Sequence, residues 1–100
     1  LPRHYLQIPD EPFMIYTDYP TSGFNARKGK NISFKILGDG RLSCRMMLVK
    51  TAQKKIPEFM VSLKGNKEPL KARTVNNGNL EYVIPGNSTI TIKMHSQLKR

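Results

Sequence analysis

Apolar residues recur at every second position in two neighbouring stretches, and this period strongly limits what the chain can fold into. The stretches are residues 32–36 and 42–48, and mostly polar or charged residues fill the alternate positions. Successive side chains of a β-strand point to opposite faces, so the pattern predicts two strands that each bury one face. The residues predicted to face the core are Ile32, Phe34, Ile36, Leu42, Cys44, Met46 and Leu48.

The turn between these stretches predicts a β-hairpin. A three-residue loop at Gly38 to Gly40 pairs Ile36 with Leu42 and keeps both apolar faces on one side. A two-residue loop would pair Ile36 with Ser43 and turn one apolar face outwards, because a one-residue slip inverts a strand. We therefore expect the three-residue loop, with Gly40 in the left-handed conformation that such loops favour.

Further strands are predicted at residues 59–63, 70–75 and 80–84, where apolar residues again alternate. Polar turns that contain glycine and asparagine separate them, as is typical of antiparallel sheets. The inward residues of the first and last of these strands are predicted to be Phe59, Val61, Leu63, Leu80, Tyr82 and Ile84.

Residues 87–100 fit two structures equally well. Residues 89–94 alternate as a strand does, whereas Ile90, Met94 and Leu98 also recur at helical spacing. Two cations near the end would suit the negative pole of a helix dipole. The leading prediction is an α+β fold, an antiparallel sheet of about six strands with one C-terminal helix packed on it. The alternative is an all-β fold.

The four prolines among residues 1–23 predict an extended lead-in, because proline cannot donate to a β-ladder. Residues 13–17 can supply an edge strand, and residues 24–100 are predicted to form a single β-rich domain. Because the chain begins at Leu1 rather than Met, we expect it to be part of a longer protein. It contains no apolar run of the ~20 residues that a membrane span needs, and no membrane partner is expected.

Positive charge is concentrated in the middle of the chain. The net charge is +10, and residues 24–73 carry thirteen Lys or Arg residues against three Asp or Glu residues. Strand alternation places several of these cations opposite the apolar side. A surface of one sign attracts an acidic partner, whereas a surface that only keeps a protein soluble mixes both signs. The predicted partner-binding residues are Arg27, Lys28, Lys30, Lys35, Arg41, Arg45, Lys64, Lys71 and Arg73.

Residues that carry catalytic or metal chemistry are sparse. His4, His95 and Cys44 have no metal-binding spacing, and the parity of Cys44 predicts a buried structural thiol. A single cysteine favours a reducing compartment because it cannot form an internal disulfide. We therefore expect a protein that is not an enzyme and that uses no cofactor or metal.

The segment KNISFKI at residues 30–36, with the Gly-Asp-Gly turn that follows it, resembles the opening hairpin of the cryptic polo box in the polo-like kinase 4 family. The segment EFMVSL at residues 58–63 resembles the next hairpin, and LEYVIP at residues 80–85 resembles the last strand. The resemblance covers roughly residues 24–85. It would suit a divergent member such as the nematode centriole-duplication kinase.

This resemblance implies the first polo-box unit of a Ser/Thr kinase, in a region that is itself non-catalytic. A polo box is a six-stranded antiparallel sheet with a helix packed across one face. The resemblance further implies a cytoplasmic homodimer at the centriole or centrosome. Its basic surface would bind acidic segments of centriolar scaffold proteins and recruit the kinase for centriole duplication.

Two other functions remain open. The basic charge also fits a single-stranded nucleic-acid-binding β-domain, although such domains usually expose aromatic rings on the sheet face. A secreted adhesion-type β-domain could carry glycans on Asn31 and Asn87, which both begin glycosylation sequons. So short a motif often occurs by chance, and the lone thiol argues against secretion.

Overall fold

Two antiparallel β-sheets make up the part of the chain that the computed structural model describes, which is residues 4–8, 11–26, 31–53, 56 and 59–93. A single turn of 3-10 helix at Asn76–Gly78 is the other regular element there. In chain order the strands are β1 (His4–Gln7), β2 (Phe13–Thr17), β3 (Thr21–Asn25), β4 (Ile32–Ile36), β5 (Ser43–Lys50), β6 (Met60–Leu63), β7 (Arg73–Val75), β8 (Asn79–Pro85) and β9 (Ser88–Lys93).

The strands are divided between a five-stranded sheet, sheet A, and a four-stranded sheet, sheet B. Sheet A has the order β1-β2-β5-β8-β7, and sheet B has the order β3-β4-β9-β6. The two sheets contribute their inward residues to one hydrophobic core. Among the fully buried side chains are Ile15, Met46 and Ile84 from sheet A and Phe34 and Ile92 from sheet B. Burying each such side chain contributes about 1.5–3 kcal/mol. Each sheet therefore packs its apolar face inwards and leaves its other face to solvent.

The antiparallel β-structure predicted from the sequence is confirmed, in the form of the all-β alternative. Ser88–Lys93 is a strand that pairs with both β4 and β6, so no helix begins at residues 87–93. The rest of the predicted helix, residues 94–100, lies outside the described residues. The strand count also differs: the described residues form nine strands in two sheets, whereas a single sheet of about six was predicted.

The predicted hairpin of residues 32–48 is wrong, although its inward residues are mostly right. Strand β4 pairs with β3 and β9 in sheet B, whereas β5 pairs with β2 and β8 in sheet A. The two apolar faces therefore meet across the core rather than side by side. Leu42 consequently lies in the crossover and is 41% exposed. The left-handed glycine is Gly38, with φ of 119°, rather than Gly40.

Residues 1–23 are not a separate lead-in where the structure describes them. Strand β2 pairs with β1 on one side and β5 on the other, so residues 13–17 form an interior strand instead of an edge strand. Phe13 and Ile15 are buried in the common core. Pro12 and Pro20 flank the strands rather than interrupt them, which is where proline is tolerated. The predicted boundary at residue 24 falls within β3.

Three connections cross between the sheets at the same end of the sandwich, at residues 18–20, 37–42 and 86–87. Backbone hydrogen bonds join them: Leu37 N–H donates to the Pro20 carbonyl, and Gly86 N–H donates to the Leu42 carbonyl. The backbones approach so closely that a Cβ at Gly86 would overlap the carbonyl oxygen of Asp39. Glycine is therefore required at residue 86 by space and not by its φ angle.

We expect Gly86→Ala to lower the free energy of unfolding by about 2 kcal/mol, because the added methyl group forces two crossovers apart. Urea denaturation followed by circular dichroism measures this change. Gly40→Ala is the matched control in the same corner. Its Cβ would lie 3.7 Å from the Gly86 carbonyl oxygen, an ordinary contact. The control should stay within about 1 kcal/mol of the unsubstituted protein, and an equal loss in both variants would contradict the close approach.

Candidate docking surfaces

The outer face of sheet B is polar and cationic, and it is called the lysine face below. Two registers align its residues across the strands. Ser22 pairs with Lys35 and Lys35 with Thr89, while Thr91 lies between Ser33 and Ser62. The lysine face consists of Ser22, Ser33, Lys35, Met60, Ser62, Thr89, Thr91 and Lys93, with Lys64 at the end of β6.

The charge of the lysine face is not neutralised within the sheet. The four strands of sheet B contain no Asp or Glu residue. Lys35, Lys64 and Lys93 are exposed and form no salt bridge with the described residues. The serine and threonine hydroxyls between them make no hydrogen bond within the described chain, so they can donate to a ligand. This face can therefore accept anionic groups.

The outer face of sheet A is different, and it is called the tyrosine face below. It combines aromatic and apolar side chains with two arginines and one carboxylate. Tyr5 and Tyr16 lie beside each other with ring centroids 5.4 Å apart, and Tyr5 is 49% exposed. The tyrosine face consists of Tyr5, Gln7, Met14, Tyr16, Arg45, Met47, Val49, Arg73, Glu81 and Val83.

Both arginines of the tyrosine face bind one carboxylate. Arg45 Nε lies 3.0 Å from one oxygen of Glu81, and Arg73 Nη2 lies 2.7 Å from the other. Strand pairing places the three residues together, since Glu81 on β8 lies opposite Arg73 on β7. The Glu81 side chain is only 10% exposed, whereas Arg45 and Arg73 are 58% and 76% exposed. One acid thus offsets half of the charge of the pair.

A further arginine is paired within the crossover that joins β4 to β5. Arg41 donates from Nε and Nη2 to the Asp39 carboxylate, at 3.2 and 3.1 Å, and also from its backbone N–H at 2.8 Å. These bonds, chiefly those of the side chain, hold the pKa of Asp39 below its ordinary value of 3.8. Arg41 is therefore bound to a neighbouring acid and contributes little net charge.

The prediction that strand pleating gathers the cations on one surface is wrong. Because β4 and β5 belong to different sheets, Lys35 and Arg45 lie on opposite sides of the sandwich. Lys64 joins the lysine face, Lys71 is exposed ahead of β7, and Arg73 lies on the tyrosine face. Arg27, Lys28 and Lys30 lie outside the described residues, in the connection between β3 and β4. Partner binding by these nine residues stays a prediction.

Sequence reasoning missed Lys93 and the hydroxyls that surround Lys35. The alternation of residues 88–93 contained that signal, but the competing helical spacing obscured it. The two tyrosines were also missed as surface residues, because residues 1–23 were predicted to be an extended lead-in with an edge strand only at residues 13–17.

Cys44 is a structural residue, as its parity predicted. It is buried, and burial together with the nearby charge of Asp18 raises the pKa of its thiol. A nucleophilic cysteine needs the opposite shift. The described residues contain no group of three His, Cys, Asp or Glu side chains placed to hold a metal ion. They also contain no helix that is long and apolar enough to span a membrane.

Comparison with protein-family models, curated proteins and solved structures finds no match for this chain. The single six-stranded sheet with a helix that the polo-box resemblance implied is not the arrangement of the described residues, which form two facing sheets. Any function therefore has to be argued from the two outer faces themselves.

The Asp39–Arg41 pair leads to a titration prediction. In Arg41→Met, the side-chain bonds are lost but the backbone N–H still donates, so the pKa of Asp39 should rise only part of the way towards 3.8. Because the pKa of Asp39 is lowered in the folded protein, the ionised carboxylate stabilises the fold at pH values above 3.8. This contribution is lost as the pH falls through the lowered pKa. Carbon-13 NMR titration of the Asp39 carboxyl group measures both values. Arg45→Met is the control and should leave Asp39 unchanged, and a full return to 3.8 in Arg41→Met would contradict the backbone bond.

Proposed function

We propose that this chain is a non-catalytic protein–protein docking module whose lysine face binds an acidic segment of another protein. The observation that carries the proposal is the unneutralised charge of that face. Sheet B holds exposed Lys35 and Lys93 and no acidic residue in any strand. In contrast, the arginines of the tyrosine face and of the crossover already have carboxylate partners.

The spacing of the lysines suits an extended peptide. Lys35 pairs with Thr89, so Lys93 lies one strand across and four residues further along β9. At ~3.4 Å per residue this is about 14 Å. An extended peptide places its residues i and i+4 the same distance apart, and the hydroxyls of Ser33 and Thr91 lie between the lysines. Acidic side chains four residues apart would therefore reach both lysines.

The affinity expected from charge alone is low. An exposed ion pair contributes about 0.2–1 kcal/mol, so three lysines give at most about 3 kcal/mol, which corresponds to millimolar binding. Hydrogen bonds from the serine and threonine hydroxyls, or two docking sites linked in a homodimer, must supply the rest. Charge would mainly raise the association rate and select acidic partners.

The partner and its location follow only from the polo-box resemblance. On that basis the acidic segment belongs to a centriolar scaffold protein in the cytoplasm, at the centriole or centrosome. The module would then recruit a Ser/Thr kinase for centriole duplication. The lysine face itself requires only an acidic, extended partner.

Single-stranded nucleic-acid binding is the second candidate, and one observation favours it. Tyr5 and Tyr16 lie on an outer sheet face, where bases could stack. However, the rings and the unpaired lysines lie on opposite faces of the sandwich. Phe24, the aromatic residue of β3, contacts the buried ring of Phe34 at 6.2 Å between centroids. A strand of nucleic acid could not use both sets of groups on one face.

Fluorescence anisotropy distinguishes these candidates, with a labelled Asp/Glu-rich peptide and a labelled single-stranded oligonucleotide as probes at two salt concentrations. We expect Lys35→Gln/Lys93→Gln to weaken peptide binding by about 2- to 30-fold, since two ion pairs are lost. The loss should shrink at high salt because screening weakens exposed pairs.

The matched control is Arg41→Gln/Lys50→Gln, which removes the same charge from residues outside the lysine face. An equal effect of the two double variants would mean that net charge, and not this face, binds the peptide. Tighter binding of the oligonucleotide at physiological salt, with loss in Tyr5→Ala/Tyr16→Ala, would favour the nucleic-acid candidate instead.

A further inference from the structure

The tyrosine face is an exposed surface on which one carboxylate offsets half of the charge of two arginines. Arg45 and Arg73 lie against Glu81, and the Asp18 carboxylate accepts the backbone N–H of Arg45. Around them the face is apolar, and Val83 is 63% exposed. Clustered apolar and aromatic residues on a solvent face usually mark an interaction site. With two arginines against one carboxylate, this face attracts an acidic partner less strongly than the lysine face, whose three lysines form no salt bridge with the described residues.

One row of residues crosses all five strands of sheet A. Successive registers pair Tyr5 with Tyr16, Tyr16 with Met47, Met47 with Glu81, and Glu81 with Arg73. The row is therefore aromatic at one end, charged at the other, and centred on Met47. Such an order is complementary to its own reverse.

We propose that the tyrosine face binds the tyrosine face of a second copy of the chain, in a twofold dimer whose axis runs parallel to β5. This axis reverses the row, so Tyr5 meets Arg73 of the second copy and Tyr16 meets Glu81. The first contact is a cation–π pair, for which Arg73 is available because its side chain is 76% exposed. Glu81 is only 10% exposed and both of its oxygens bind arginines, so Tyr16 packs on the cluster of Arg45, Glu81 and Arg73. At the axis, Met47 packs against Met47 of the second copy. An isologous interface of this kind closes as a dimer.

The other possible axis, along the row, is unfavourable. It would place Arg73 against Arg73 and Tyr5 against Tyr5 across the interface. With the axis along β5, the residue that meets itself in the neighbouring row is Arg45, whose charge is already paired with Glu81 at 3.0 Å. Each orientation therefore brings one Glu81-bound arginine against itself, and the axis along β5 is preferred because it pairs Tyr5 with Arg73.

The size of the face sets the expected strength. Five strands at ~4.8 Å and about five residues at ~3.4 Å give a footprint of roughly 24 by 17 Å. This is about half of the ~800 Å² per partner that stable complexes bury. We therefore expect a weak dimer that forms at high protein concentration, and this expectation does not depend on the proposed docking function.

Sedimentation velocity over about 10–500 µM protein tests the dimer, since this range brackets the dissociation constant expected of a weak interface. The unsubstituted protein should shift from monomer to dimer. Met47→Glu places two carboxylates at the axis and should raise the dissociation constant by about tenfold or more. Thr91→Glu, the same charge change on the lysine face, should leave it unchanged.

Two substitutions of Tyr5 test the orientation and keep the test valid if Met47→Glu fails to fold. Tyr5 lies on an edge strand and is half exposed, so either charge can be placed there. Tyr5→Arg should weaken the dimer, because it faces Arg73 of the second copy, whereas Tyr5→Glu should retain or strengthen it. A monomer at every concentration, a dimer indifferent to Met47→Glu, or equal effects of both Tyr5 variants would overturn the proposal.

Discussion

The packing of two apolar sheet faces against each other is the constraint on which the rest of the structure depends. The inner face of each sheet is apolar, and neither sheet can bury its inner face without the other. Phe34 and Ile92 from sheet B and Ile15 and Met46 from sheet A are buried in one core. Because the inner faces are buried in this way, the outer faces are the broad sheet surfaces that the described residues leave open to solvent. Their different chemistry follows from the residues that alternate with the core.

The sequence correctly predicts which side chains of a strand face the core. It does not predict which strands pair with each other. Period-two alternation fixes which residues turn inwards, and Phe34 and Met46 are buried as predicted. It does not say whether two apolar sides meet in one sheet or across two sheets, because both arrangements bury them equally. The six residues between β4 and β5 are long enough to cross between the sheets. The hairpin prediction failed because it assumed the shorter connection.

The same ambiguity explains what could be predicted of the candidate site. Lys35 was correctly placed on a solvent face, since parity alone decides that. Its separation from Arg45 arises because β4 and β5 belong to different sheets, and alternation along a strand does not indicate which sheet the strand joins. The pairing of Arg45 and Arg73 with Glu81 depends on the register of β5, β8 and β7, which brings residues 36 and 8 positions apart into contact. Charge counts along the chain cannot reveal which cations a fold neutralises.

The two proposed surfaces together limit how a dimer could use them. If tyrosine faces pack in the centre, the lysine faces point away from each other, about 30 Å apart across four stacked sheets. A short acidic peptide would then occupy one copy only and gain nothing from dimerisation. A partner with two acidic segments could engage both copies only if the linker between the segments passed around the sheet edges. Because an unsuitable linker removes the benefit of a second site, the dimer would favour long or clustered acidic partners over isolated peptides of the same charge.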